Sequence, residues 1–389
     1  MLRYLTGGES HGKGLTAILE GIPAGLGLSS KDVNQELRRR QGGYGRGERM
    51  KIEKDKVEFL SGIRLGKTLG APITLMIKNL DWQNWQGVMA PEIKGTDSRN
   101  ISPLTCPRPG HADLAGAIKY DFDDLRNVLE RASARETAAR VAVGAICKKF
   151  LAQFEIQIYS RVVQIGKIKD ITQWQPTEAN YELIENSPLR CLDEAKEKEM
   201  IALIDLVKKE GDSLGGIFEV IVTNLPVGLG SYIQWDLKLD ARLAYAIMSI
   251  QAIIGVEIGS GFMTAEEFGS RVQDEIFYAQ SGSKFYRKTN NAGGIEGGMS
   301  NGEPIILRAA MKPISSLARA LSSVDMVSKK TVKAMKQRAD VCVVPAASII
   351  GEAVVAFEIA KAMREKFGGD SLREAKRNYL SYMDYVRRR

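Results

Sequence analysis

Only two histidines occur in the 389-residue chain, and both stand beside glycine, as Ser10-His11-Gly12 and Gly110-His111-Ala112. Glycine lets a backbone come close to a ligand, and imidazole exchanges protons near neutral pH, so both positions are candidates for proton transfer. Neither histidine belongs to a metal-ligand pattern of the His-x-x-x-His or Cys-x-x-Cys kind, so no metal is expected. Arginine supplies the complementary charge. Arg38, Arg39, Arg40, Arg46 and Arg49 crowd the stretch RRRQGGYGRGER against one acid, Glu48. A guanidinium fork matches two phosphate or carboxylate oxygens at once, so a small polyanion is one reading of the cluster; a solvated or RNA-binding arm is the other. Two further places favour the small polyanion. Arg108 lies between Pro107 and Pro109, on a backbone stiffened from both sides. In ERASARET, Arg131 and Arg135 are four apart in a helix-forming segment, a like-charge pair that costs roughly a few tenths of a kcal/mol unless an anion lies between them.

The elements that must position these residues show an internal repeat. Residues 8–28, GESHGKGLTAILEGIPAGLGL, align without a gap on residues 211–231, GDSLGGIFEVIVTNLPVGLGS. Residues 61–75 and 293–307 both read G-I-x-x-G-x-x-x-G-x-P-I-x-L. The repeat predicts a duplicated unit, about 1–150 and 205–367, within one domain spanning 1–389. In this alignment His11 falls opposite Leu214 while Gly8, Ser10 and Gly12 recur, so the turn can be built without the imidazole. Apolar runs beside the glycines predict strands at Ile217 to Val222 and Ile305 to Leu307. Helical spacing predicts helices over Asp124 to Phe150, Leu239 to Ile254 and Ala347 to Lys366, the last capped at Gly368-Gly369. A charged helix is expected around EAKEKEMIALIDLVKKE. The sum is a pseudo-symmetric α+β unit with long helices packed against two groups of strands.

Composition bounds the rest. With 44% hydrophobic and 26% charged residues, disordered and collagen-like classes drop out. Residues 1–12 carry Thr, Glu, Ser and His where a signal peptide needs an apolar stretch, and no run of about 18 apolar residues follows, so a cytoplasmic protein with no membrane contact is expected. Cys106, Cys147, Cys191 and Cys342 are too widely spaced for a disulfide framework and are expected to be reduced. The net charge of +8 points to an anionic partner without naming it. GIRLGKT (62–68) imitates a phosphate-cradling loop with Ser61 where the first glycine belongs, and in the repeat Lys67 and Thr68 fall opposite Met299 and Ser300. Gly12-x-Gly14-x-x-Ala17 imitates a dinucleotide fingerprint, but only a few residues separate it from Pro23.

The ordered motifs GESHG, RRRQGGYGRGERM, SGIRLGKTLGAPITL, RPGHAD, ERASARET, GLGSYIQWDLKLDARLA, GGIEGGMSNGEPI, MKPISS and QRAD-x-x-x-VPAA, running from Arg3 to about Phe367, resemble the chorismate synthase family. That resemblance implies a helical core sandwiched between antiparallel β-sheets, assembled as a homotetramer. It implies an anti 1,4-elimination of phosphate from 5-enolpyruvylshikimate 3-phosphate to give chorismate, redox-neutral yet dependent on reduced FMN, in the shikimate pathway. By the same resemblance His11 protonates the departing phosphate, His111 stands at the N1 side of the flavin, and Asp340 helps take up the ring hydrogen. Arg40, Arg46, Arg49, Arg108, Arg135 and Arg338 hold the substrate, Arg40 and Arg46 also being associated with nicotinamide phosphate. FMN is lined by Arg131, Ala132, Ser133, Gln251, Ala252, Gly297, Lys312, Pro313, Ile314, Ser315, Ser316 and Arg338, with Gln251 standing where asparagine is common in the family. No added reductase module is visible, so an outside reductant is expected, NADPH acting at most indirectly, and nucleic acid is not expected as a partner.

Overall fold

Along Ile73–Lys78 and Ile305–Met311 buried and half-buried residues alternate, the period-two signature of a strand with one face packed. The computed structural model of the chain describes residues 1–47, 54–92, 101–280, 284–334 and 340–389. Ile73–Lys78 is internal to a four-stranded sheet, ordered Arg3–Gly7, Gly14–Glu20, Ile73–Lys78, Val57–Phe59. Ile305–Met311 belongs to a five-stranded sheet, ordered Ile253–Ile258, Ile305–Met311, Gly216–Thr223, Gln157–Ile165, Ile168–Lys169. Every pairing in both sheets is antiparallel.

Between the sheets lie two helices with little polar surface. Val344–Phe367 is buried on all sides for most of its length, which places it inside the molecule. Pro345 sits in its first turn, where a missing N–H costs nothing, and Gly368 at φ +57° ends it. Thr137–Leu151 packs along it and against the four-stranded sheet, while Val344–Phe367 packs against Gln157–Ile165 and Gly216–Thr223 of the other sheet. The helical layer is therefore sandwiched. The two helices cross so closely at Gly144 that a Cβ there would come within 2.4 Å of the Ala353 Cβ.

Aligned positions of the sequence repeat carry the same hydrogen bonds. Gly25 N donates to Thr68 O at 2.9 Å, and Gly228 N to Ser300 O at 2.7 Å. The Thr68 hydroxyl donates to Pro23 O and accepts from Leu26 N; the Ser300 hydroxyl donates to Pro226 O and accepts from Leu229 N. Strand register recurs as well, Ile18 facing Thr74 and Ile221 facing Ile306. Gly8 illustrates why glycine opens the repeat: at φ +103°, a Cβ there would lie 2.3 Å from Gly14 O.

Two helices end earlier than their periodicity predicts. The expected helix Asp124 to Phe150 is two, Arg126–Ala132 and Thr137–Leu151, with a 3-10 turn Ala134–Glu136 between them. Ser133 is extended (ψ 140°) and its hydroxyl caps Arg135 N. The expected helix Leu239 to Ile254 stops at Met248, because Ile253–Ile258 pairs as an edge strand and Ala252 turns the chain at φ +65°. Among the described residues no helix is long and apolar enough to cross a membrane.

Candidate active site

Both interruptions open onto one cavity of about 490 Å³. Its lining brings together His11, His111, Arg40, Arg46, Arg108, Lys312 and Asp340, with Ala132 and Ser133 from the first break and Gln251 and Ala252 from the second. Asp340 is the one acid among the described lining residues, so the pocket suits an anion. Leu129, Ile250, Met311, Ile314, Val343, Ala346, Ala347 and Ile350 make an apolar wall.

Three consecutive arginines have three fates, as residues 100° apart on the helix Ser30–Gln41 must. Arg38 is exposed. Arg39 turns inward to Glu36, Glu185 and Glu352 at 2.6–2.7 Å. Arg40 enters the cavity wall, its Nε donating to Thr137 Oγ1 and its Nη2 to Ala134 O, both at 3.0 Å. Arg46 follows on a loop that Gly43 (φ +108°) and Gly45 (φ +86°) bend back toward the core, and its Nε lies 3.2 Å from Asp340 Oδ2. Gly47 N donates to the other oxygen of Asp340.

Each histidine is held by a carboxylate. His11 Nδ1 lies 2.8 Å from Glu130 Oε1, its backbone N donates to Glu130 Oε2 at 2.7 Å, and its ring stacks on Trp85 at 3.8 Å between centroids. His111 Nδ1 lies 2.5 Å from Asp113 Oδ1. Arg108 completes that group, donating from Nε to Asp113 Oδ2 at 2.8 Å and placing Nη2 3.1 Å from His111 Nδ1. Burial pushes the Asp113 carboxyl up, but hydrogen bonds from His111 and Arg108 outweigh it and hold the group well below the usual carboxylate range. Lys312 Nζ donates to Gly110 O at 3.0 Å, tying the MKPISS stretch to the histidine turn.

Of the residues expected at the site, His11, His111, Asp340, Arg40, Arg46, Arg108, Ala132, Ser133, Gln251, Ala252, Lys312, Ile314, Ser315 and Ser316 line this cavity. Arg49 and Arg338 lie outside the described residues. Arg131, Arg135, Pro313 and Gly297 do not line it. The helix carrying Arg131 ends at Ala132, so Arg131 and Arg135 do not share a helix face and need no anion between them. Arg131 donates to Thr6 O and Gly8 O, and Arg135 to Asp55 Oδ2 at 2.6 Å. Gly297 occupies the turn between Ile295–Glu296 and Met299–Ser300 at φ +56°, the conformation Leu65 adopts at φ +50° in the other copy. GIRLGKT is a small hairpin, Ile63–Arg64 paired with Lys67–Thr68, and no helix follows it to cradle a phosphate.

A sequence model of chorismate synthase matches residues 2–364. The chain belongs to the chorismate synthase family. Chorismate synthase of Geotalea uraniireducens (strain Rf4) is 58% identical over the whole of both chains. Chorismate synthase of Aquifex aeolicus (strain VF5) is 56% identical, covering 99% of this chain and 98% of its own. A solved structure described as "Crystal Structure of Chorismate Synthase" superimposes with a TM-score of 0.81 at 47% identity, covering 100% of this chain and 99% of that one. The family reaction is a carbon–oxygen lyase step, elimination of phosphate from 5-enolpyruvylshikimate 3-phosphate to give chorismate, in aromatic biosynthesis.

Sequence reasoning passed over Glu130, Asp113 and Trp85. Asp113 stands two residues from His111 in RPGHAD, a legible signal. Glu130 is 119 positions from His11, and nothing short of the fold announces the pair.

Proposed function

We propose that the elimination takes place in the 490 Å³ cavity, with reduced FMN on its apolar wall and the enolpyruvyl phosphate in front of it, among the arginines. The convergence of His11, His111, Arg40, Arg46, Arg108 and Asp340 on one cavity carries this reading. Fit to the flavin is supported by Gln251: its Nε2 donates to Glu136 at 2.7 Å, while its buried Oε1 has no hydrogen-bond partner among the described residues. A buried acceptor left open in a cavity wall suits a ligand N–H. A reduced flavin held there, beside Ala132, Ser133, Gln251 and Ala252, would supply transient electron density to loosen the carbon–oxygen bond to phosphate, recovered by the end so that the reaction is redox-neutral.

The side chains do the rest. Arg40, Arg46 and Arg108 neutralise carboxylate and phosphate charge as it develops on the leaving group. His11 gives its proton to a phosphate oxygen. His111, set by Asp113 and Arg108, is the second proton address, on the flavin side of the pocket. Asp340, steadied by Arg46 and Gly47 N–H, is placed to receive the ring hydrogen as a proton. Arg49 and Arg338, outside the described residues, are assigned to the substrate and Arg338 also to FMN, on family resemblance. Arg131 and Arg135 act from behind the wall, bracing the histidine loop and Asp55.

The same reading takes the chain to be a cytoplasmic homotetramer. Tyr232, Ile233, Trp235, Phe262 and Phe268 are 70–77% exposed, large apolar side chains of the kind a subunit contact covers. Gly297, beside Tyr232, then contributes to a flavin site across a subunit contact. The rival RNA-binding arm is disfavoured because Arg39 and Arg40 turn inward.

Anaerobic assay with dithionite-reduced FMN tests the proposal: phosphate and chorismate appear together, one for one. His11→Ala and His111→Ala each lower kcat by on the order of 10²–10⁴, about 3–5 kcal/mol of barrier, with the fold unchanged by circular dichroism. A parallel run with NADPH alone gives no product if the reductant comes from outside. Wild-type rates in both histidine variants refute the assigned roles.

A further inference from the structure

Glu130 is a residue the reaction as described above does not use, yet it makes three bonds to the loop that carries His11. Its backbone O accepts from Ser10 N at 2.9 Å, its Oε2 from His11 N at 2.7 Å, and its Oε1 faces His11 Nδ1 at 2.8 Å. The carboxylate is 97% buried, 3% of its side-chain surface remaining accessible, and it sits on the short helix Arg126–Ala132 just before the break at Ser133. A carboxylate accepts hydrogen bonds and has none to give, so the atom opposite it must carry the hydrogen. That atom is Nδ1. Trp85 covers one face of the ring, and the backbone bond from His11 N to the same carboxylate fixes where the ring begins, so a half-turn of the ring would keep both of these contacts but put a carbon in place of Nδ1 against Glu130 Oε1 and lose that hydrogen bond.

We propose that Glu130 is the positioning residue for His11, holding a hydrogen permanently on Nδ1 so that every catalytic proton is carried by Nε2 on the cavity side. The inference rests on the proton-donor role given to His11. When the C–O bond breaks, its electron pair stays with the phosphate oxygen, which takes the proton from Nε2; the ring passes from imidazolium to the neutral Nδ1–H form. Its lone pair then lies on Nε2, pointing at the cavity, and one proton from water resets it. A neutral ring with a bare Nδ1 would face the pocket with an N–H and could not be recharged there. The carboxylate thus makes the donor reusable without any movement of the ring.

Two histidines make ¹⁵N spectra of the histidine-labelled protein simple to assign, using His11→Ala to identify the missing pair of signals. In the wild-type protein the neutral His11 ring carries its hydrogen on Nδ1. In Glu130→Gln the amide can turn its NH₂ toward Nδ1, so the Nε2–H form becomes populated, and kcat falls by on the order of 100-fold with KM within about threefold. Glu130→Asp, which keeps an acceptor-only group, retains the Nδ1–H form and recovers part of kcat. A merely structural Glu130 would change stability and leave the tautomer alone. A wild-type spectrum with Nδ1 bare overturns the inference, and needs no variant to fold. Release of the tautomer in Glu130→Gln with wild-type turnover also overturns it, and locates the failure in the role of His11 rather than in the hydrogen bond.

Discussion

Replacing Gly144 by alanine sets two effects of opposite sign against each other. Helix propensity favours the change by about 1 kcal/mol, since alanine loses less backbone freedom than glycine. Packing opposes it. The new Cβ would sit 2.4 Å from Ala353 Cβ, 2.5 Å from its Cα and 2.7 Å from its O, and backbone atoms in a helix cannot swing aside. Carbon atoms rest at about 3.5–4.0 Å, so the two central helices must part by roughly 1 Å where they cross. A gap of that size forfeits about a quarter to a half of each neighbouring contact, and overpacking of this kind costs about 1–3 kcal/mol. The clash offsets the propensity gain and leaves a net cost of up to about 2 kcal/mol. At about 2.1 cal/mol/K of unfolding entropy per residue, a cost at the upper end lowers Tm by about 2 °C in a chain of 389 residues. Because Ala346, Ala347 and Ile350 of the displaced helix line the cavity proposed for the flavin, flavin binding should weaken as well. Gly87→Ala is the control: it lies in the helix Trp82–Met89 with nothing within 4 Å of where its Cβ would stand, so propensity acts alone and Tm holds or rises. Calorimetry and flavin titration of both variants decide the matter; parallel rises in Tm refute the close-crossing argument.

Asp113 makes stability pH-dependent with a definite sign. Its carboxyl is held below its ordinary value of 3.8, so its contribution is present above that pH and is lost as pH falls through the lower folded value. Asp113→Asn should therefore lower stability at neutral pH and flatten its decline in acid, read from urea midpoints across pH. Glu352 accepts from Arg39, Lys148 and Ser160 with no exposed surface, so Glu352→Gln leaves that cluster with an uncompensated cation and costs about 3–5 kcal/mol by chemical denaturation. Burial pushes the Cys342 thiol up to about 11 and that of Cys191 to about 12, and raises Cys147 further. A thiol reagent at pH 8 should thus titrate Cys106 alone in the native protein and all four cysteines in denaturant.

The legible part of the site was the part made of rare residue types. Two histidines in the whole chain, and arginines clustered against the local run of charge, stand out before any fold is known. Acids do not, because 47 of them are spread along the chain and only three-dimensional contact singles out Glu130. Strand and helix positions followed their periodicity, and failed where it continues across a break. Leu125, Val128 and Leu129 run in phase toward Val141, yet Ser133 interrupts the helix by turning its hydroxyl to Arg135 N and Ser10 Oγ. Ile250 to Ile254 reads as more helix, yet Ala252 adopts a positive φ and a strand begins. Both failures border the cavity, as expected when local preference yields to the placement of a functional group. Among Arg38, Arg39 and Arg40, composition could not separate a solvated arm from a binding site; a rotation of 100° per residue did.

The recurring glycine turn explains how one scaffold can serve both sides of this pocket while performing chemistry on one. In the first copy the turn delivers His11 into the cavity, docked on the Arg126–Ala132 helix by Glu130 and Arg131. In the second, Leu214 stands at the aligned position and its N donates to Val341 O at 2.8 Å, next to Asp340, while the Ser213 hydroxyl donates to Ile314 O at 2.9 Å. The second turn therefore braces the segments that bear Asp340 and the MKPISS wall. An imidazole there would add a polar group to a packed corner outside the cavity lining, whereas leucine supplies contact alone. On the proposed reading, proton transfer needs one donor and one acceptor on opposite sides of the reacting ring, and the like turns GESHG and GDSLG, with histidine in one where the other has leucine, would meet that need: one would carry the donor, and the other would hold the acceptor's backbone in place.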